Sequence, residues 1–283
     1  MISIIGIGNV ASAITEKFQD INNYEVYLLN NKVQRNTKNQ FKLKHYDTPD
    51  QYEANVPDVT AFLKNVRKRA QVFVTGASLS SNYTLGILEQ IKHAEIDLFY
   101  IQPDIELLTG VPRINEKITF GVLQQYARSG LFKSITLISN SMLEQALGEV
   151  PIKTYYDTLN NTIFQMIHYL NFFEFNEPEI GVMSTPAETS RIRAIAALDI
   201  EKLEEKWFFE LDRPRELCYY ICINNKRLAS EGGLHKKLVD QLKDKPKNAF
   251  RKLSYAIYET DHDDFGFCVA HTNVVQEQKT FDS

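Results

Sequence analysis

The sequence has few cysteines, no long apolar run and no excess of positive charge, and each shortage excludes a class of protein. Three cysteines occur in 283 residues. Cys218 and Cys222 stand four apart in a strand-like run, about 13 Å along a strand, which is too far for a disulfide. No apolar run approaches the roughly 18 residues that cross a bilayer. The 32 Lys and Arg against 36 Asp and Glu leave a net charge of −4, so no basic field favours nucleic acid or a membrane surface.

The remaining composition is typical of a folded protein. Hydrophobic residues make up 43% of the chain, aromatic residues 11% and charged residues 24%. The first residues, Met-Ile-Ser-Ile-Ile-Gly, predict a strand and not a signal peptide, because they lack a basic start and soon turn polar. We therefore expect three buried thiols in a reducing compartment and a cytoplasmic location.

Strand-like and helix-like segments alternate through the first half of the chain. Short apolar runs end near residues 5, 29, 75 and 101, with predicted helices at 10–18, 59–69 and 82–93 between them and irregular chain at 32–58. Such alternation predicts an α/β fold with a doubly wound, Rossmann-like parallel sheet.

A glycine turn follows the first strand. Gly6-Ile-Gly8-Asn9-Val-Ala11 has the spacing G-x-G-x-x-A, which between a strand and a helix is the dinucleotide fingerprint. Glycine permits the tight turn, and a helix N-terminus offers free N–H groups to a phosphate. The run is similar to that of NADP-dependent reductases of the pyrroline-carboxylate type. A tight turn without a ligand is the alternative.

The end of the second strand narrows the choice of nucleotide. NAD enzymes place Asp or Glu there to bind the ribose hydroxyls. This chain has Asn30 and Asn31 instead, followed by Lys32. Simple NAD specificity is excluded, whereas Lys32 or Arg35 leaves a 2′-phosphate, and hence NADP, open.

The middle of the chain is its most informative part. A strand at 134–138 is followed by Asn140, which opens a helix, and a long apolar helix to about residue 173 carries Tyr156 and Asn160 four residues apart, on one face. This order and spacing resemble the tubulin/FtsZ family, in which an Asn after the strand and an aromatic residue plus Asn on the central helix hold a guanine base. A core-packing Tyr and a surface Asn are the alternative.

The resemblance also implies a set of residues around the phosphates and ribose. In that family a Gly-Asn pair occupies the first turn, an Asn faces the phosphates after the second strand, a glycine-rich loop follows the next strand, and a loop at 103–117 faces the ribose. Only one glycine of the glycine-rich loop is left here, and serines and backbone amides would have to hold the phosphate unless they are merely helix caps. The implied residues are Gly6, Gly8, Asn9, Asn30, Gly76, Ser78, Ser80, Ser81, Glu116, Asn140, Tyr156 and Asn160.

The hydrolytic acid of the family has no clear counterpart. The N-x-D-type run after the central helix is missing, and Glu174 and Glu177 are only weak catalytic candidates. We expect the loop at 173–178 to expose Phe173 and Phe175 as the rim of a protein interface. No metal ligand set is predicted.

The resemblance implies that residues 1–150 form a nucleotide-binding domain, that 151–175 form the central helix and that 176–283 form a smaller α+β domain. In the last part we expect helices at 192–205 and 236–243, strands at 206–210, 217–223, 253–259 and 265–271, and a polar tail at 276–283.

Three functions remain open from the sequence. The resemblance implies a divergent subunit that binds GTP or GDP, with Mg²⁺ if GTP binds, and self-associates head to tail into filaments with weak or lost hydrolysis; a phage-type member of the family would fit this divergence. The second is a nucleotide-free structural or protein-binding module, since the phosphate loop is eroded. The third is an NADP-dependent reductase, for which a proton donor is missing.

Overall fold

The computed structural model describes residues 1–246 and 251–278, and the strands of those residues form one hydrogen-bonded sheet. The strands are β1 (Ile2–Ile7), β2 (Tyr24–Asn30), β3 (Gln40–Lys42), β4 (Arg69–Thr75), β5 (Glu95–Gln102), β6 (Ser134–Ser139), β7 (Ile180–Val182), β8 (Ile192–Asp199), β9 (Glu204–Trp207), β10 (Glu216–Asn224), β11 (Lys252–Thr260) and β12 (Phe265–Thr272). The α-helices are α1 (Asn9–Thr15), α2 (Pro49–Ala54), α3 (Thr84–Gln90), α4 (Gly110–Ser129), α5 (Asn140–Leu147), α6 (Tyr155–Phe175), α7 (Asn225–Ser230) and α8 (Leu234–Lys243). Single 3₁₀ turns lie at Glu16–Phe18, Leu79–Tyr83, Ile105–Leu107 and Ile152–Thr154.

The first half of the sheet is parallel, in the order β3-β2-β1-β4-β5-β6. All six residues of β1 and of β6 are buried, which is typical of parallel strands covered on both faces. Helices α3 and α4 contribute to the core on one face, and α1, α5 and α6 to the core on the other. The predicted doubly wound α/β sheet is confirmed.

Helix α6 is the predicted long central helix. Its 21 residues span about 30 Å. The hydroxyl of Tyr155, at its start, donates to Glu144 of α5, whereas Glu174, in its last turn, pairs with Arg69 at the first residue of β4. The helix therefore runs from the carboxyl edge of the parallel strands to their amino edge. One apolar stripe faces the core and includes Leu159, Ile163, Met166 and Ile167.

The C-terminal strands continue the same sheet. β8 pairs in parallel with β6 through three register positions, and the order continues β8-β12-β10-β11-β7, with β9 on β8. Helix α8 covers one face of this part with Leu234, Leu238 and Leu242. The fold is thus a Rossmann-like parallel sheet, a long central helix and a smaller C-terminal α+β part, as predicted. The division at residues 150 and 175 stays a prediction.

Two of the predicted helices are wrong. Residues 59–68 form turns, and β4 begins at Arg69. Residues 192–199 form β8, a strand whose residues are mostly buried because it lies inside the sheet between β6 and β12. Its apolar residues are nearly continuous, and such a run does not distinguish a buried strand from a buried helix. The irregular segment at 32–58 also contains β3 and α2, the latter begun by a capping box of Thr48 and Gln51.

Candidate functional site at the carboxyl edge of the sheet

The carboxyl ends of β1 to β6 meet at one edge of the sheet. β1 lies between β2 and β4, so the direction of winding reverses between β1 and β4. In open α/β sheets the crevice at this reversal is the usual place for a ligand. The turns that follow β1 and β4 carry the predicted phosphate-binding residues.

The structure brings these two turns into contact. Gly8 has a φ of +97°, and a Cβ atom on it would lie 2.6 Å from Ser80 Oγ, which in turn is 2.8 Å from Ser78 Oγ. The neighbouring Asn9 Oδ1 is buried and has no hydrogen-bond partner within residues 1–246 and 251–278. Gly8, Asn9, Ser78 and Ser80 therefore form one cluster at the reversal, and Asn9 presents an unused acceptor in it.

Three other residues that the sequence predicts around the phosphates, Gly6, Asn30 and Ser81, have contacts within the chain that explain them structurally. A Cβ on Gly6 would lie 2.4 Å from Thr15 Oγ1, so this glycine permits close packing of α1 on β1. The Asn30 Oδ1 accepts the backbone N–H groups of Lys32 and Val33 and shapes the turn after β2. The Ser81 hydroxyl donates to the Ser78 carbonyl within its own 3₁₀ turn.

Glu116 lies deeper than the sequence predicts. The expected ribose-facing loop at 103–117 ends early, because α4 begins at Gly110, and the Glu116 side chain on α4 is fully buried. Its carboxylate accepts hydrogen bonds from the Tyr100 hydroxyl, from Gln102 Nε2 at 3.0 Å and from Gln278 Nε2 at 3.2 Å. Burial raises the pKa of Glu116, and these hydrogen bonds act in the opposite direction.

The Glu116 carboxylate also fills the turn after β4. It accepts the backbone N–H of Ala77, and a Cβ on Gly76 would lie 1.8 Å from Glu116 Oε2. Backbone N–H groups at such a turn are the groups that bind a phosphate. At Ala77 the N–H is already paired with an anion that belongs to the chain itself.

The predicted base-binding residues lie at the same edge of the sheet, but no hydrogen bond described in the structure connects the two asparagines. Asn140 is the first residue of α5, and Asn160 follows Tyr156 by one turn of α6; both asparagines are half-buried, and Tyr156 is 72% exposed. Across the described part of the chain, no hydrogen bond links Asn140 to Asn160. The ring that contacts α5 is Tyr155, whose hydroxyl oxygen is 2.7 Å from Glu144 Oε2.

A cavity of about 530 Å³ opens beside the ends of β5 and β6, and we call it the head cavity. Gln102, Ser139 and Phe120 line it together with a set of carboxylates, and no Lys, Arg or His is found among the described residues that line it. The carboxylates belong to Asp104, Glu106, Glu144, Glu210, Asp212 and Glu277. A bare polyphosphate would be repelled by this charge.

The C-terminal residues 274–278, which we call the strap, line the head cavity with Gln276, Glu277 and Gln278. Gln124 of α4 pairs with the main chain of Gln276 in both directions: the Gln276 N–H donates to Gln124 Oε1 at 2.8 Å, and Gln124 Nε2 donates to the Gln276 carbonyl at 3.1 Å. The side chain of Gln276 is 3% exposed. The prediction of a polar tail at 276–283 is therefore wrong for Gln276, which is bound to Gln124. Residues 279–283 lie outside the described residues.

At the opposite edge, the predicted loop after α6 differs from expectation. Glu174 belongs to the last turn of α6 and pairs with Arg69 at 2.6 Å, while Glu177 is exposed. Phe175 is 66% exposed as predicted, but Phe173 is buried against the rings of Tyr220 and Tyr258. The prediction that Phe173 is exposed is wrong, because the C-terminal sheet packs over it.

A second cavity, of about 620 Å³, lies between α6, the amino ends of β4 to β6 and the C-terminal strands. Buried Asp97 is held there by Arg69 and Arg193, with 3.4 Å between charged atoms in each pair. Burial favours a raised pKa for Asp97, but the two guanidinium groups hold it below its ordinary value. Burial and the nearby Arg193 lower the pKa of His271 to about 3.

Comparison with solved structures identifies the fold. CetZ from Methanosaeta thermophila superposes with a TM-score of 0.69 at 10% identity, over 96% of this chain and 86% of that one. A GTPγS-form protofilament of Bacillus thuringiensis serovar israelensis TubZ gives 0.73 at 9% identity, over 98% and 87%. An empty FtsZ dimer from M. jannaschii gives 0.70 at 10% identity, over 96% and 88%. The chain has a tubulin/FtsZ-like fold.

The tubulin/FtsZ-like fold is visible only at the level of structure. No protein-family model matches the sequence, and no curated protein matches it. Within the described residues, no group of His, Cys, Asp and Glu is arranged to hold a metal ion, and no helix is long and apolar enough to cross a membrane.

The main feature that sequence reasoning missed is the strap. Gln276 and Gln278 are polar residues near the end of the chain, and nothing local distinguishes them from a solvated tail. Their partners, Gln124 and Glu116, are 152 and 162 residues away. The burial of Glu116 could not be predicted for the same reason, because the sequence of α4 does not show which distant residues cover this side chain.

Proposed function

We propose that this protein is a filament subunit that assembles head to tail and does so without bound GTP. The observation that carries the proposal is the presence of exposed apolar side chains at both ends of the molecule. At the carboxyl edge, Leu107, Val111 and Ile114 are 79%, 55% and 61% exposed. At the amino edge, Met1 and Phe175 are 62% and 66% exposed.

Two different surfaces at opposite ends suit a contact that repeats. A head-to-tail contact is heterologous, and it does not close unless the subunits are related by a suitable rotation, so it propagates as a filament. Exposed apolar side chains are common on proteins, but Val111, Ile114 and Ile118 of α4 recur at intervals of three and four residues and so form one exposed apolar stripe, with Leu107 in the 3₁₀ turn before the helix. The structural neighbours include a TubZ protofilament and a two-stranded TubZ filament, which supports the same arrangement here.

The independence from GTP rests on the carboxyl edge. The Ala77 N–H is paired with Glu116, and six carboxylates are among the described residues that line the head cavity. A nucleotide phosphate placed at this turn would have to displace the Glu116 carboxylate, which the side chains of Tyr100, Gln102 and Gln278 also hold. Removing a buried charged group from its partners costs about 1.5–3 kcal/mol for each hydrogen bond to the charged group.

Light scattering and electron microscopy at rising protein concentration, with and without GTP, test the proposal. We expect filaments in both conditions and no measurable GTP turnover. The variant Ile114→Asp places a charge in the apolar stripe and should abolish filaments, whereas Gln125→Asp, at an exposed polar position of the same helix, should leave them unchanged. A chain that stays monomeric at every concentration contradicts the proposal.

A titration with GTP, GDP, ATP and NADPH separates the alternatives. The guanine site implied by the sequence remains a second candidate because Asn140, Tyr156 and Asn160 all lie at the carboxyl edge. If GTP or GDP binds, Asn160→Ala should weaken it by about 1–3 kcal/mol, since guanine groups would lose a partner. Guanine-nucleotide binding that Asn160→Ala leaves unchanged would remove this site, and tight NADPH binding would favour the reductase.

A further inference from the structure

The amino edge of the sheet carries a second charged surface, which we call the basic edge. It consists of Arg67, Lys68, Arg69, Lys133 and Phe175, which line a cleft of about 520 Å³ with Met1, Ile2, Glu95 and Glu174. Its four bases outnumber its two acids. The basic edge is thus opposite in charge to the head cavity.

The positive charge of the basic edge is only partly neutralised. Lys68 and Lys133 lie 3.5 Å and 3.6 Å from the two oxygens of the same carboxylate, Glu95. Two ammonium groups therefore share one carboxylate. The Lys68 side chain is 86% exposed, so it is free to reach a partner molecule at little cost in desolvation.

The two charged surfaces lie at opposite ends of the same strands. Glu95, the first residue of β5, lines the cleft at the basic edge, and Gln102, the last residue of β5, lines the head cavity. The eight residues of β5 separate them by about 25 Å. A translation along the strands would therefore bring the basic edge of one copy towards the head cavity of the next.

We infer that the head cavity of one subunit binds the basic edge of the next copy of this chain, so that the protein's own Lys and Arg side chains provide the charge pairing at the filament contact. The inference rests on the proposed head-to-tail assembly and names its chemistry. The occupant is a second copy because the complementary surface is on the chain itself, beside the exposed Phe175. Opposite charges across such a contact also fix which end meets which.

Ionic strength provides the first test, in the absence of nucleotide. The Debye length falls from about 10 Å at 0.1 M salt to about 3 Å at 1 M, so a contact made by exposed charges weakens strongly over this range. We expect the amount of polymer in a sedimentation assay to fall as salt rises. A contact held by the apolar stripe alone would keep or gain polymer at high salt.

Charge reversal provides the second test, and it distinguishes the two ends. Glu106→Lys changes the head cavity, and Lys68→Glu changes the basic edge. Each variant alone should need at least about tenfold more protein to form polymer, equivalent to about 1.4 kcal/mol per contact. An equal mixture of the two variants should restore polymer, because the Lys of one altered end meets the Glu of the other.

Matched controls carry the same charge changes at exposed positions elsewhere. Glu53→Lys on α2 and Lys236→Glu on α8 should polymerise like the parent chain. Circular dichroism of every variant shows whether it is folded, and Lys68→Ala, which adds no repulsion, replaces Lys68→Glu if the latter is not. Lys68→Ala should show an intermediate loss.

The outcomes separate this inference from the proposed function. Filaments that are insensitive to salt and to both reversals, or a mixture that does not restore assembly, overturn the charged contact and leave head-to-tail assembly standing. Polymer restored only by adding a basic peptide or a divalent cation points to another occupant of the head cavity. A chain that is monomeric under every condition overturns both.

Discussion

At Gly76 the backbone has room for a hydrogen atom and little more. The nearest atoms to a Cβ there are Glu116 Oε2 at 1.8 Å and the Tyr100 hydroxyl at 2.5 Å. The far end of a side chain normally moves aside easily, but this carboxylate is buried and held by several donors. The chain's own buried carboxylate therefore requires a glycine at this position.

Gly76→Ala should destabilise the protein by about 1–3 kcal/mol, as overpacking of a core does. In a chain that already carries Glu116→Ala, the same change should cost clearly less, because the obstructing carboxylate is gone. Urea unfolding of the four proteins measures this coupling. Gly121→Ala, where a Cβ meets no atom within 4 Å, is the control and should be neutral or slightly stabilising. Additive costs in the double variant would contradict the placement of Glu116.

The residue types at the carboxyl edge could be predicted from the sequence, but their partners could not. The G-x-G-x-x-A spacing led to Gly8 and Asn9, and the turn after β4 led to Ser78 and Ser80, because parallel strands place their turns at one edge. The sequence also singled out Glu116. That it is buried and paired with Ala77 depends on contacts between distant parts of the chain, which no local pattern records.

Among the elements, strand β8 and helix α4 show where periodicity fails. The sequence predicts a helix at 192–205, but Ile192–Asp199 form strand β8, whose nearly continuous apolar run is compatible with a buried strand as well as with a helix. The start of α4 falls in the segment 103–117, where the resemblance to the tubulin/FtsZ family implies a ribose-facing loop. Pro112 is nevertheless compatible with the first turn of a helix, where no backbone N–H partner is lost.

The strap is an element whose attachment can be tested at one side chain. Gln124→Ala leaves the N–H and carbonyl of Gln276 without partners, at a cost of about 1–3 kcal/mol for a buried group. We expect the amide of Gln276 to exchange with solvent much faster in this variant, as measured by hydrogen exchange. Gln125→Ala, at the adjacent exposed position, should leave it protected. An unchanged exchange rate in Gln124→Ala would show that the strap is held by other contacts.

For the molecule as a whole, the fold was largely predictable. Alternating strands and helices indicated the parallel sheet, and the apolar spacing of α6 indicated the central helix. The continuity of the sheet across β6 and β8 was not predictable, because that pairing joins residues 57 positions apart through only three register pairs. Residues of both halves, such as Ile163 and Val269, share one core cluster, which favours unfolding in one step.

Stability should fall as the pH is lowered from about 6.5 towards 4. The pKa of His271 is near 6.5 in an unfolded chain but about 3 in the folded one, so the unfolded state binds its proton first and gains stability as pH falls. The slope from this group is at most about 1.4 kcal/mol per pH unit. Asp97, whose pKa is lowered in the folded state, adds a loss in the same direction below about pH 4.

Urea unfolding followed by circular dichroism and by the fluorescence of Trp207, the single tryptophan, measures this dependence. His271→Gln should flatten the slope between pH 6.5 and 4, whereas His262→Gln, in the exposed turn between β11 and β12, should retain it. Coincident transitions by the two probes are expected from the shared core. Two separate transitions would instead support independent domains at the predicted boundary.

The carboxylate of Glu116 at the turn after β4 has a consequence for how a filament of this protein would behave over time. A covalently attached anion is neither exchanged nor cleaved, so a subunit has no younger and older chemical state. Without a reaction that releases free energy, the two ends of a filament must share one equilibrium, and subunits cannot be gained steadily at one end while they are lost at the other. For the proposed filament without bound nucleotide we therefore expect neither treadmilling nor sudden shrinkage, and an amount of polymer set by protein concentration and salt.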